Sequence, residues 1–240
     1  MAIAEIVTKL GLQAVVFDFE NKYAKTISQF YSEFQDQFEI YSVIQKTIKS
    51  KTSPNLRAGK KVVQSDMKIT FKNAPDYLAS IQYLIEKYDE ITSRNDFQVL
   101  IMDGATPIIR NYLGLAYWKH LHPDRDSPTP LEWGAMNDIE QSFIDAGVGW
   151  AEENNGLFLI TGQMKDDYRG DKKVGEIPGI SQKCQHSIDV VLELQKKIYK
   201  DHTDYCCICL DSIKGQWVEQ LTLEKHLFEV LLEKELIGFE

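Results

Sequence analysis

The stretch Asp96-Phe-Gln-Val-Leu-Ile-Met-Asp-Gly104 constrains the fold more than any other part of the chain. Its apolar run, Phe97 to Met102, stops at a carboxylate, Asp103, followed by a glycine. A strand with one face in water alternates apolar and polar residues, whereas a strand covered on both faces does not. The run therefore predicts a central parallel strand. An acid at the carboxyl end of such a strand lies at the edge where open α/β sheets bind ligands, and its oxygens suit a hydrated Mg²⁺ beside phosphates. Taken by itself Asp103 reads equally well as a loop acid after a core strand, so the rest of the chain must choose.

The neighbouring segments supply an α/β pattern. Ala2 to Leu10 carries Ile3, Ile6, Val7 and Leu10 at helical spacing and is closed by Gly11. Gln13 to Glu20 predicts a strand with Val16, Asp18 and Glu20 on one face and Val15, Phe17 and Phe19 on the other. Tyr23 to Phe34 has a helical pattern, and Phe38 to Ile44 predicts a short strand. A helix opening at Pro75, capped by Asn73, is expected to bury Leu78, Ile81, Ile85 and Tyr88. After the central strand, Ala105 to Leu121 predicts helix, and the three prolines between His122 and Pro130 predict a loop. A helix from about Glu132 to Asn154 has the stripe Met136, Ile139, Phe143, Ala146 and Trp150 and a stop at Asn154-Asn-Gly156. Leu157 to Gln163 predicts a third buried strand, ending in an amide. Residues 164 to 181 predict a mobile, charged, glycine-rich loop; Ile188 to Leu194 and Asp204 to Leu210 predict strands, and Leu221 to Leu236 a closing helix. Strands alternating with helices predict the α/β class: a mostly parallel sheet flanked by helices, in one domain over residues 1 to 240, with 196 to 240 completing it.

Composition narrows the function. A chain 43% apolar and 26% charged is that of a globular protein, and its net charge of −9 argues against a surface coated for nucleic acid while leaving room for local patches. One such patch is Gln45 to Lys68, with Lys46, Lys49, Lys51, Arg57, Lys60, Lys61 and Lys68 against Asp66. It reads as a solvated face or as a contact surface for phosphates. Ala58-Gly-Lys-Lys61 is no phosphate loop, because it lacks the first glycine and the Ser/Thr after lysine. No run is long and apolar enough to cross a bilayer, and Glu5 interrupts the apolar start, so no secretory signal and an intracellular location are expected. Cys184, Cys206, Cys207 and Cys209 read as buried thiols. His120 and His122, near Asp124 and Asp126, read as a solvated loop sooner than a metal site. Trp118, Trp133, Trp150 and Trp217 read as core or subunit contacts.

Three strands thus deliver Glu20, Asp103 and Gln163 toward one sheet edge. At these residues the chain resembles the RecA-type ATPases, especially the compact phage and archaeal-virus members related to recombinases. Val16-Phe-Asp-Phe-Glu20 looks like the family's strand carrying the catalytic glutamate, and Val99-Leu-Ile-Met-Asp103 like its Walker B strand. Leu159-Ile-Thr-Gly-Gln-Met-Lys165 is similar to the strand ending in the glutamine switch, and Gly175 to Gly179 with Ser187 to Leu194 resembles the stretch that closes the DNA-binding loop and returns to the sheet. The resemblance spans about residues 2 to 195. It implies ATP and Mg²⁺ as cofactors, with Glu20 orienting water, Asp103 holding the Mg²⁺ shell and Gln163 reporting the γ-phosphate. It implies single-stranded DNA contacts from Arg169, Lys172 and Lys173, side-by-side assembly of copies in a ring or filament, and a nucleotide contact by Lys183 on a neighbouring copy.

One departure is large: Gly-x-x-x-x-Gly-Lys-Ser/Thr occurs nowhere in the sequence. With it go the backbone cradle for phosphates, the lysine on the β/γ-phosphates and the hydroxyl on Mg²⁺. A fragment, a gap filled by another segment, and a relative that no longer hydrolyses nucleotide all fit that departure. Two rivals accompany the ATPase: a non-enzymatic scaffold on the same RecA-like core without its first strand and phosphate loop, and a Mg²⁺ nuclease using Asp18, Glu20 and Asp103. The nuclease is ranked last on the expectation that no acid-x-Lys sequence ends the relevant strands.

Overall fold

The computed structural model describes residues 2–44, 77–106, 108–169, 172–180, 184, 187–199, 203–212, 215–222 and 227–236. At its centre is a four-stranded sheet in which every pairing is parallel, ordered β2-β1-β3-β4: β1 (Ala14–Asp18), β2 (Phe38–Ser42), β3 (Val99–Thr106) and β4 (Leu157–Gly162). The central strand is thus β3, flanked on both sides, and Val99 to Met102 are wholly buried.

Helices cover both faces because the strands are apolar on both. On one face Val15, Phe17, Leu100 and Met102 meet Ile81, Leu84 and Tyr88 of α3 (Tyr77–Thr92) and Phe143 and Trp150 of α5 (Pro130–Asn154). On the other, Val16, Val99 and Ile101 meet Ala4 and Val7 of α1 (Ala2–Leu10) and Tyr23 and Ile27 of α2 (Tyr23–Phe30). The alternation expected for β1 therefore sends its odd and even side chains into two separate cores. The fold class is α/β, with the parallel sheet flanked by helices.

Local chemistry fixes the helix ends. Gly11, at φ +66°, closes α1: its N–H donates to Thr8 and that of Leu12 to Val7, a left-handed cap suited to glycine. Helix α5 begins at Pro130, earlier than expected, because Thr129 and Glu132 form a reciprocal capping box; Arg125 donates both arms of its guanidinium to Glu132. It ends at Asn155 in the left-handed region. Between β3 and α4 (Leu115–Leu121) the chain makes a π-helical turn over Ile109–Gly114, so the stretch expected to be mostly helical is so from residue 108 onward, while Ala105 and Thr106 still belong to β3.

Several expectations are corrected. Ile85 is 48% exposed on α3, its place in the core taken by Leu84 and Ile91, and Ala146 is exposed on α5 beside the buried Gly147. Helix 23 to 34 stops at Phe30 and continues as a 3-10 turn, Ser32–Gln37. The segment expected as a mobile loop forms an antiparallel hairpin, β5 (Met164–Arg169) with β6 (Lys172–Pro178); Gly170-Asp171, a hairpin-forming dipeptide, lies between the two strands in sequence. The strand expected to return to the parallel sheet, β7 (Val190–Ile198), pairs instead with β8 (Thr203–Ser212), which pairs with β9 (Trp217–Leu221), all antiparallel in a sheet of their own. Leu221 ends β9 and so does not open the closing helix, whose described part, α6 (Leu227–Glu233), packs Leu227, Phe228 and Leu231 with Ile6 of α1 and Cys207 of β8. The basic stretch 45 to 68, and Asn73 and Pro75, lie outside the described residues.

Candidate functional site at the carboxyl edge of the parallel sheet

Parallel strands in register bring their carboxyl ends to one edge, and β1 and β3 are paired so that Asp18 stands beside Asp103. The two acids have different surroundings. Asp18 is fully buried, and its two oxygens accept the backbone N–H groups of Glu20 (3.0 Å) and Tyr23 (2.6 Å). Those bonds turn the chain out of β1 and start α2, so Asp18 builds the edge and has its acceptors directed at the backbone. Burial raises its pKa above the ordinary value of 3.8, against the lowering effect of the two N–H donors. Asp103 is half-buried, and Thr161 of β4 donates its hydroxyl to the Asp103 Oδ1 at 2.8 Å while accepting the Gly104 N–H at 2.7 Å. This relay fixes one carboxylate oxygen of Asp103.

Glu20 reaches the same spot by a different route. Two residues past the end of β1, it lies against Gly104, which has φ +74°; a Cβ there would fall 2.7 Å from the Glu20 Cγ. Only glycine both adopts that backbone and leaves room for the carboxylate. Lys22 closes the group from outside, with its Nζ 2.7 Å from the Glu20 Oε2, and that contact raises the Lys22 pKa. Glu20-Asn21-Lys22 is an acid-x-Lys sequence, so the expectation that none ends the relevant strands was wrong.

Gln163 follows β4 at this edge. Its N–H donates to Thr106 at 3.1 Å, its carbonyl accepts from Gly179 at 2.9 Å, and its side chain is exposed. Gly179, next to the end of β6, would place a Cβ 2.3 Å from that carbonyl, so the hairpin is bonded tightly to the residue after β4. Glu20 and Asp103 are therefore brought into one group with Gly104 and Thr161, while Gln163 joins the hairpin to the edge. Of the residues assigned to DNA, Lys172 and Lys173 are exposed on β6, and Lys173 is 2.9 Å from Glu176; Arg169 ends β5, and its side chain lies outside the described residues. Lys183 also lies outside them.

Sequence reasoning missed Thr161 and Lys22. The signal for Thr161 was a lone hydroxyl within an apolar strand, two residues before the amide; that for Lys22 was its spacing from Glu20. Among the described residues no cluster of three His, Cys, Asp or Glu side chains is arranged to hold a metal, so Asp18, Glu20 and Asp103 do not form a ready three-carboxylate centre, and the His120 and His122 loop holds none either. The cysteines are free thiols; Cys184, Cys207 and Cys209 are buried, and burial pushes the Cys207 thiol up to about 12. Trp118 and Trp150 belong to the core, while Trp133 is 37% exposed. No described helix is long and apolar enough to cross a membrane.

No known protein-family profile matches the chain, and no curated protein matches it. Among solved structures, the chain is similar to a KaiC-like protein from the hyperthermophilic archaeon Pyrococcus horikoshii OT3, with 10% identity and a TM-score of 0.46, over 92% of this chain and 77% of that one.

Proposed function

We propose that this chain is a RecA-like module that binds Mg²⁺ and nucleoside triphosphate at the carboxyl edge of its parallel sheet and couples that state to single-stranded DNA. The observation that carries the reading is the grouping of Glu20 with the tethered Asp103 across Gly104. Asp103, with one oxygen held by Thr161, fits an outer-shell contact to a hydrated Mg²⁺. Glu20, beside it and accessible to solvent, is the group to orient and polarise an attacking water. Gln163 reports the phosphate to the β5–β6 hairpin, to which its carbonyl is bonded. Lys172 and Lys173, with Arg169, contact DNA phosphates, so DNA affinity falls with salt. The module acts inside the cell as an assembly of copies, in which Lys183 serves a neighbouring nucleotide. Mg²⁺ fits the acids present; for a triphosphate, Lys22 is a lysine donor at this group but is held by Glu20, and the backbone cradle of a phosphate loop is not among the described residues around Asp103.

Calorimetry with Mg-ATP on the 240-residue chain tests the reading first. Binding heat, followed by ATP turnover that Glu20→Gln abolishes without weakening binding, is the expected result; an unchanged rate in that variant removes Glu20 from its role. A second reading is a scaffold that binds DNA without hydrolysing nucleotide. The Lys22 clamp on Glu20 and the lack of a phosphate-loop sequence favour it, and DNA binding with no Mg-ATP heat is its signature.

A further inference from the structure

The turn from β1 into α2 holds a lysine against the acids of the sheet edge. Asp18 accepts the N–H groups of Glu20 and Tyr23, so the backbone on either side of Lys22 is pinned. Between Glu20 and Lys22 stands Asn21, in the left-handed region at φ +56°, a conformation that asparagine tolerates better than most side chains, and its amide reaches the Ile44 carbonyl at 3.4 Å. The tight turn brings the Lys22 ammonium to 2.7 Å from the Glu20 carboxylate. Backbone and side chain differ sharply here. The Lys22 side chain is 74% exposed, stands at the N-cap of α2 without capping it, and ends in a rotatable point charge. An ion pair so open to water holds its partners weakly. The Glu20 contact raises the Lys22 pKa, and the charges of Asp18 and Asp103 add to it, so the ammonium answers to the whole acidic group.

From this geometry we infer that Lys22 is a two-position switch on Glu20, paired with that carboxylate at rest and moved to the terminal phosphate of a Mg²⁺-bound nucleoside triphosphate when one binds, which leaves Glu20 to hold water. The inference rests on the nucleotide reading and adds the regulation of its site. While paired, Glu20 has its charge offset and one oxygen occupied, and it polarises a water poorly. A phosphate group carries more negative charge than a carboxylate, so the ammonium has a stronger partner to move to, and leaving Glu20 costs little. The exchange keeps the site from uncompensated charge in either position. It also gives Lys22 opposite effects on two ligands: it opposes Mg²⁺ alone, by repelling a second cation from Glu20 and Asp103, and it favours Mg²⁺ accompanied by triphosphate.

That opposition is the test. Full-length Lys22→Gln and Lys22→Arg chains are titrated with Mg-ATP by calorimetry and, separately, their melting temperatures are followed against Mg²⁺ alone. Lys22→Gln is expected to weaken Mg-ATP binding about tenfold and to shift the Mg²⁺-dependent rise in melting temperature to lower Mg²⁺. Lys22→Arg, which keeps the charge, restores both toward the parent chain. A lysine that only supports the turn would move the two readouts together or not at all, and neither readout needs turnover. If the parent chain gives no Mg-ATP heat, the nucleotide reading falls and the switch falls with it. If the parent binds Mg-ATP and Lys22→Gln binds it equally well, or needs as much Mg²⁺ or more, the switch alone is overturned and the nucleotide reading stands.

Discussion

Strands β3 and β4 are both apolar runs, Val-Leu-Ile-Met and Leu-Phe-Leu-Ile, paired residue for residue, yet they are buried differently. Val99 to Met102 are shielded completely, whereas Leu157 to Ile160 are all half-buried. The difference is one of position. A strand between two neighbours has its backbone and both faces covered; a strand at an edge keeps a flank open however apolar its side chains are. The candidate group sits on the sealed side, where Glu20, Asp103 and Gly104 gain a rigid support, and the open flank begins one strand away.

The largest expected effect tests that contrast directly. Ile101→Ala in β3 should destabilise the fold by about 2–5 kcal/mol in denaturant unfolding, and Leu159→Ala in β4 by about half as much, because the edge side chain gives up less buried surface. Equal losses would mean that β4 is sealed in solution by something that covers its flank. Next in size, Gly104→Ala should cost about 1–3 kcal/mol, combining a left-handed backbone with a Cβ driven into Glu20. A silent Gly104→Ala substitution would dissolve the packing on which the candidate site depends.

The smallest effect is on pH dependence. Burial raises the Asp18 pKa in the folded chain, so folding favours its protonated form. Its contribution is thus fully present below the unfolded value and is lost as pH rises through the folded one. In unfolding measurements across the acidic range, the native chain should lose stability relative to Asp18→Asn as pH climbs above 3.8. The opposite slope would mean that the N–H donors from Glu20 and Tyr23 outweigh the burial of the charge.

Much of the architecture was legible in the residues because apolar periodicity records how many faces of an element are covered. The apolar runs in β1 and β3 report two-sided burial, and both strands form on them; the Thr129 to Glu132 cap, which starts α5 ahead of the expected Glu132, was overlooked among the prolines. The 164 to 178 hairpin escaped because charge and glycine content suggested a loop, and backbone pairing does not depend on either. Exposed Ile85 and buried Leu84 show the same limit on a helix: several faces were apolar enough, and packing against the sheet selected one. Lys22 and Thr161 escaped because their roles depend on what lies across from them.

By itself the sequence determined that this chain makes a parallel sheet with acids at its carboxyl ends, since continuous apolar strands ended by carboxylates are written residue by residue. Tertiary structure decided which acid is available for chemistry. Asp18 and Asp103 occupy paired positions, but the backbone turn after β1 directs two N–H groups at the first, while a hydroxyl from β4 holds one oxygen of the second. It also decided that β7 turns to its own sheet, leaving a cleft beside β4, because strand pairing is a choice among distant partners that no local pattern encodes.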